Sequence, residues 1–219
     1  MVLSIMVFST FIVLSMLVSP RTQLSNDMLI DADKTLFLLT SNFHFKFIDQ
    51  FMIYLTLYGR EIFWVVVILF LFIFGKEKGK KTALVILVSL IILVPIGLIS
   101  KEIIERPRPI VSQTGFLIPT DSEYSFPSGH ALVVSSGAAI ALILFRGSSK
   151  ELTVSIILTL ESAFVCFSRV YVGSHYPLDV LSGILLGIGV SFILIYHEKK
   201  FERLYFLTIR IINKAIPKG

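Results

Sequence analysis

Charge is what this chain has least of. Only 16% of its 219 residues are Asp, Glu, Lys or Arg, where a soluble domain carries about 25%. Apolar side chains fill the gap at 55% of the total, and the mean hydropathy is +0.85. That balance excludes an ordinary water-soluble domain and identifies an integral membrane protein. Cysteine is nearly missing too. The one present, Cys166, lies in an apolar run, excludes an internal disulfide and reads as a small core residue. Neither internal repeats nor low-complexity tracts occur. The net charge of +5 could invite a nucleic-acid partner, but the basic side chains stand beside apolar runs. That placement fits membrane orientation and anionic lipid, with no nucleic-acid role.

What is present is a series of apolar runs. A bilayer-spanning helix needs about 20 mostly apolar residues, and the chain is expected to be an all-α bundle of six spans. They are Met1 to Val18, Ile62 to Phe74 (beginning near Tyr58), Thr82 to Ser100, Ser128 to Phe145, Leu152 to Phe167 and Leu178 to Tyr196. The first run has no Lys or Arg ahead of it, so it is expected to be a retained span and not a cleaved signal. Arg21 to Arg60 mixes Asp27, Asp31, Asp33 and Asp49 with Leu36, Phe37, Phe43 and Phe47, which predicts a loop with one or two short interfacial helices. Gly75 to Lys81 and Arg146 to Lys150 are expected to be short loops. His197 to Gly219 is expected to be a basic amphipathic cytoplasmic tail. The whole, residues 1–219, is one bundle with no room for a second sizeable domain. With the amino terminus inside, inner segments hold twelve of the twenty Lys and Arg. The positive-inside rule therefore favours two cytoplasmic termini.

Six spans put four ends on one outer face: the end of the third at Lys101, the start of the fourth at Pro127 to His130, the end of the fifth at Ser168-Arg169, and the start of the sixth at His175 to Asp179. Polar groups at a membrane boundary are costly and tend to be functional. Pro177 is suited to the first position of a helix, which places Asp179 on its first turn, within reach of His175. A carboxylate-oriented histidine is the core of many nucleophilic sites. Lys101, Arg108 and Arg169 can surround an anion, above all a phosphoryl group. Ser128, Gly129 and the amides that follow offer it a helix N-terminus. In this arrangement His175 attacks phosphorus and His130 protonates the leaving oxygen. A lone cation at a helix end is ordinarily a snorkelling anchor, but six such groups on one face are hard to explain that way. His130, His175 and Asp179 could instead ligate a metal, although three surrounding cations would repel it. His44 and His197 read as interfacial residues, and Glu102, Glu105 and Glu123 as moderators of the positive potential.

Lys101 with Arg108-Pro109, then Pro127-Ser128-Gly129-His130, then Ser168-Arg169 with His175 and Asp179, resembles the three-part signature of the type 2 phosphatidic acid phosphatases. Their superfamily includes vanadium haloperoxidases and bacterial acid phosphatases. The motif core runs from 101 to 179, and Asp49 to Trp64, with Thr56 and Gly59, resembles the family's entry into its second span. The resemblance implies that Lys101, Arg108, Ser128, Gly129 and Arg169 bind phosphate, that His130 is the general acid, and that His175 is a nucleophile oriented by Asp179. It implies hydrolysis with no metal or other cofactor, at the outer face. Arg106 is a local ambiguity, since either arginine could reach the anion; the spacing favours Arg108.

The expected activity is removal of the terminal phosphate from a lipid phosphate through a phosphohistidine, with a polyprenyl diphosphate carrier as first choice. Phosphatidic acid and phosphatidylglycerol phosphate are the alternatives. A non-catalytic lipid-phosphate binder or transporter would be expected to lack His130 or His175, and a vanadate-dependent oxidase would be soluble.

Overall fold

The computed structural model describes residues 2–41, 43–110, 117–118, 124–199 and 206. Among them the chain is all-helical, with eight helices: α1 (Val2–Val18), α2 (Asp27–Ser41), α3 (Lys46–Tyr58), α4 (Glu61–Phe74), α5 (Lys76–Ile104), α6 (Gly129–Leu144), α7 (Ser149–Tyr171) and α8 (Pro177–Tyr196). All the helical runs expected from the sequence are there. Most of the expected tail, residues 200–205 and 207–219, lies outside the described residues.

Three of these helices, α5, α7 and α8, are each long and apolar enough to cross a bilayer. α3 and α4 qualify together, but they are bent by 62° at their break. α1 and α6 are apolar and shorter, at 17 and 16 residues. At 1.5 Å per residue α6 is about 24 Å long, short of a hydrocarbon core of about 30 Å. One expectation needs correcting. Gly75 to Lys81 is not a loop: only Gly75 separates α4 from α5. The turn is made there with Lys76 at a left-handed φ of 50°, and Lys78, Lys80 and Lys81 ride on the first turns of α5. The Arg21 to Arg60 segment carries two short helices, α2 and α3, within the one or two expected there.

α6 is the hub. It packs on α8, α7 and α5, while α1 covers α8, α4 pairs with α5, and α2 and α3 lean on α7 and α8. Small residues set the closeness of α6 and α8. A Cβ on Gly183 would lie 2.5 Å from Ser128 O, and one on Gly187 2.5 Å from Leu132 O. Only glycine leaves room for backbones that near. Hydroxyls tie the interior: Ser136 and Ser191 meet at 2.7 Å across the same pair, and Ser155 Oγ donates to Phe145 O at 2.6 Å. The core around α6 holds Trp64, Ile86, Leu93, Val134, Ile140 and Val165. The outward faces of α1, α4 and α5 expose Leu3, Ile5, Val66, Phe70, Ile91 and Ile99. A surface apolar on both sides of its helices is what a lipid-facing bundle requires.

Candidate active site

Four helix ends and one helix break converge at one end of the bundle, and each is shaped by its own sequence. α5 stops at Glu105, whose left-handed φ of 53° and N–H bond to Lys101 O (2.9 Å) form a C-cap. This leaves Lys101 on the last helical turn, buried. Arg106-Pro107-Arg108-Pro109 then leaves the helix in an extended path, because each proline bars helix at the residue before it. Ser128 caps α6, its Oγ accepting from Ala131 N–H at 3.5 Å. Its own N–H donates to Asp179 O at 2.9 Å, which joins the starts of α6 and α8. Arg169 is on the last turn of α7, within the helix. α8 starts at Pro177 as expected, and Asp179 Oδ2 accepts the Tyr176 N–H at 2.9 Å.

All eight residues singled out from the sequence are gathered there, in two tiers. Lys101, Arg108, Gly129, His130 and His175 line a cavity of about 600 Å³. Ser128, Arg169 and Asp179 lie behind that wall, each buried. Arg169 Nη1 donates to Thr56 Oγ1 at 2.7 Å. His130 Nε2 is 3.0 Å from Thr56 O and its Nδ1 is 3.4 Å from Arg60 Nη1. A carbonyl only accepts and a guanidinium only donates, so His130 is the neutral tautomer with its proton on Nε2. By the same rule Arg108 Nη1, 3.3 Å from His175 Nε2, makes that nitrogen the acceptor. His175 Nδ1 then carries the proton and faces Asp179 Oδ2 at 3.5 Å. Arg108 Nη1 also donates to Ser174 O at 2.9 Å.

Four polar residues were missed or under-read in the sequence. Arg106 turns away from the cavity and bridges two buried carboxylates, donating to Asp179 Oδ1 and to Asp33 Oδ2, both at 2.6 Å. Of the two arginines, Arg108 lines the cavity and Arg106 braces Asp179 from behind. Asp33 Oδ1 also accepts the Leu178 N–H at 2.9 Å, so α2 is pinned to the start of α8. Arg106 further stacks over Tyr176, 4.4 Å from the ring centre. Burial pushes the Asp33 carboxyl above its ordinary value, against the pull of Arg106. Burial works to lower the Arg106 guanidinium, and Asp179 and Asp33 more than reverse it. The other two are Arg60 and Glu61 on the cavity wall, paired with each other. The sequence signal for Asp33 was its spacing with Phe37 and Ser41, one buried face of α2 at i, i+4 and i+8.

The remaining expectations resolve simply. Glu105 is engaged by Arg21 through both carboxylate oxygens. Glu123 lies outside the described residues. His44 is 3.2 Å from Asp49 and edge-on to Tyr171, and His197 caps α8; neither lines the cavity. No group of His, Cys, Asp and Glu among the described residues could hold a metal ion.

The opposite wall of the cavity is apolar. Val65 of α4, Leu90, Leu93, Val94, Gly97 and Leu98 of α5, and Leu132 and Val133 of α6 form it. Val65, Val94 and Leu98 are each about half exposed, so this apolar wall reaches the outer surface of the bundle at α4 and α5. One end is cationic and the other faces the lipid.

The chain is similar to several known proteins. Residues 82–203 match the PAP2 superfamily. An undecaprenyl-diphosphatase of Sulfolobus acidocaldarius is 38% identical over 72% of this chain and 76% of its own. Undecaprenyl-diphosphatase BcrC of Bacillus subtilis is 28% identical over 80% of this chain and 88% of its own. Among solved structures, a transmembrane PAP2 type phosphatidylglycerolphosphate phosphatase of Bacillus subtilis superposes with a TM-score of 0.75 at 25% identity, covering 91% of this chain and 98% of that one.

Proposed function

The chain belongs to the PAP2 superfamily, and from that premise we propose that it is a membrane phosphatase that removes the terminal phosphate of a polyprenyl diphosphate. The observation that carries this is the cavity itself, cationic at one end and apolar where its wall reaches the outer surface at α4 and α5. At about 600 Å³ it falls within the usual ligand range of about 300–1,000 Å³. An amphiphile with an anionic head and an apolar tail fits such a site; a soluble phosphate ester would waste its apolar half. The similarity to two undecaprenyl-diphosphatases favours the diphosphate over a phosphomonoester lipid.

The chemistry divides into two displacements. Lys101 and Arg108 hold the terminal phosphoryl oxygens, with Arg169 and the α6 N-terminus behind Gly129 adding to the positive field. The His175 Nε2 lone pair forms a bond to phosphorus. The bond from phosphorus to the bridging oxygen breaks, and its electron pair leaves with the lipid monophosphate. His130, which must first take up a proton at Nδ1 from solvent as the anionic head binds, supplies the proton that this oxygen takes. Asp179 stabilises the charge left on the His175 ring, whose Nδ1 proton faces it. Water then attacks the phosphohistidine with His130 as base, releasing orthophosphate and restoring both imidazoles. The cations do the work that a metal would do elsewhere, so the reaction needs none.

In the membrane, the reading is of six spans: α1, the bent α3–α4 pair, α5, α6, α7 and α8, with α2 at the interface. Both termini are cytoplasmic and the site faces outward, as the distribution of cations favours.

The test is phosphate release by the purified protein, with chelator, from polyprenyl diphosphate, phosphatidic acid and phosphatidylglycerol phosphate. The expected result is highest kcat/KM on the diphosphate, unaffected by EDTA. His175→Ala is expected to lose several orders of magnitude, as covalent nucleophiles do. Full turnover by that variant would refute the nucleophile. A preference for either phosphomonoester would refute the substrate.

A further inference from the structure

The group that leaves from a diphosphate is itself a phosphate, and the site needs a place to hold it. Resting on the reading above, we propose that Arg60 is the specificity residue for that retained phosphate, holding it against His130 and so selecting diphosphates over phosphomonoesters. Arg60 stands outside the motif residues carried by the signature and outside the matched residues 82–203. It is the residue at the break between α3 and α4, at the start of α4, where the helix dipole adds positive potential.

Its place follows from the order of groups around the phosphorus. In an in-line displacement the attacking nitrogen and the leaving oxygen lie on opposite sides of phosphorus. Arg108 is the cation on the attacking side, 3.3 Å from His175 Nε2. Arg60 is the cation on the leaving side, its Nη1 3.4 Å from His130 Nδ1. Nδ1 is the nitrogen left without a proton in the tautomer described above, and so the one that must take up a proton before it can give it to the bridging oxygen. A retained phosphate that displaces the contact between Arg60 and His130 accepts from the guanidinium in a bidentate geometry. It also favours the protonated imidazole beside it. Glu61, which pairs with Arg60 and shares the cavity wall, occupies the guanidinium until an anion replaces it. A phosphomonoester lipid presents an uncharged ester oxygen here and gains nothing from Arg60.

The experiment compares wild type, Arg60→Gln and Arg60→Lys in detergent micelles. It reads the ratio of kcat/KM on farnesyl diphosphate to kcat/KM on phosphatidic acid. A charge-assisted hydrogen bond to phosphate is worth roughly 10- to 100-fold, so Arg60→Gln is expected to lower the ratio by that much. Arg60→Lys, a point charge without the fork, is expected to fall between. Loss in equal proportion on both substrates, or an unchanged ratio, would overturn the proposal. A second reading uses inhibition of phosphatidic acid hydrolysis by inorganic diphosphate and by orthophosphate. Arg60→Gln is expected to lose the advantage of diphosphate over orthophosphate and Arg60→Lys to keep part of it, and full retention in Arg60→Gln would overturn the proposal. If wild type fails to turn over farnesyl diphosphate, the substrate reading falls, while the inhibition ratio still decides the role of Arg60.

Discussion

Removing the Arg106 guanidinium should damage both stability and turnover, although Arg106 faces away from the cavity. Asp33 is 2% exposed and Asp179 0% exposed, and Arg106, itself 4% exposed, is held between them at 2.6 Å on each side. Arg106→Ala leaves two buried carboxylates facing an empty space. Breaking a buried pair by removing one partner costs about 3–5 kcal/mol, a large share of a total near 5–15 kcal/mol. For a chain of this size each kcal/mol is worth about 2–4 °C of Tm, so the melting temperature should fall by on the order of 10 °C. Arg106→Lys keeps the charge but cannot donate to two carboxylates in a fixed fork. It should lose about one charge-assisted hydrogen bond, roughly 1.5–3 kcal/mol. Asp179 would then be free to turn from His175, so kcat should drop with little change in KM. The assay is thermal unfolding of the purified protein beside phosphate release. A cycle with Asp33→Asn should show coupling above about 0.5 kcal/mol, as residues sharing one network do. Wild-type Tm and turnover in Arg106→Ala would refute the reasoning, and additive effects in the cycle would refute the bridge.

Two further outcomes test the packing and the orientation. Gly183→Ala places a Cβ 2.5 Å from Ser128 O and 3.0 Å from Leu132 N, so α8 must move from α6 at the level of the site. The cost is about 1–3 kcal/mol of overpacking, read as a lower Tm with reduced kcat. Gly97→Ala, whose Cβ meets only Leu132 Cδ1 at 3.4 Å, should leave Tm nearly unchanged, and equal losses in the two variants would refute the close-approach argument. For orientation, Ile110→Cys introduces a thiol at a position 94% exposed, while the native Cys166 is buried. A membrane-impermeant maleimide should label it from outside intact cells, and labelling only after permeabilisation would reverse the proposed topology. Ser174, although in the same outer stretch, is buried and unsuitable as a probe.

The parts of the fold that could be read from the sequence share one property: each is set by neighbours close in the chain. The apolar runs became helices, and Pro177 began α8 with Asp179 on its first turn. The groups on α5 through α8 met because successive antiparallel spans bring the end of one and the start of the next to the same side. What could not be read depended on distant segments. Nothing near Asp33 in sequence announces that Arg106 and Leu178 will meet it; among polar residues it looks like any acid on an interfacial helix. Arg60 drew no reading of its own in the sequence, because its place depends on the α3–α4 bend of 62°, which no local pattern specifies. The error over Gly75 to Lys81 has another cause. Four lysines read as a polar loop, but the helix that carries them is apolar for most of its length, and pairs such as Glu77–Lys81 at 3.2 Å keep its first turns helical.

The missed residues also explain how a cationic site can exist at a membrane boundary at all. Lys101, Arg108, Arg169 and Arg60 converge on two histidines, and like charges so gathered repel one another strongly where water is scarce. The compensating carboxylates stand apart from the reacting centre. Asp179 and Asp33 lie behind it with Arg106 neutralising part of their charge, and Glu61 stands at the cavity rim beside Arg60. An acid placed among Lys101 and Arg108 would occupy the phosphate's own position. Set one layer back, the same acids lower the cost of gathering the cations and leave the front of the site for the substrate's oxygens. Arg106 decides the balance within that layer. Without it nothing would hold Asp179 beside His175; with it, one oxygen of Asp179 is committed to the guanidinium and the other to the Tyr176 N–H and the His175 ring. The bracing helix α2, outside the motif core, is therefore part of what would make the proposed nucleophile usable.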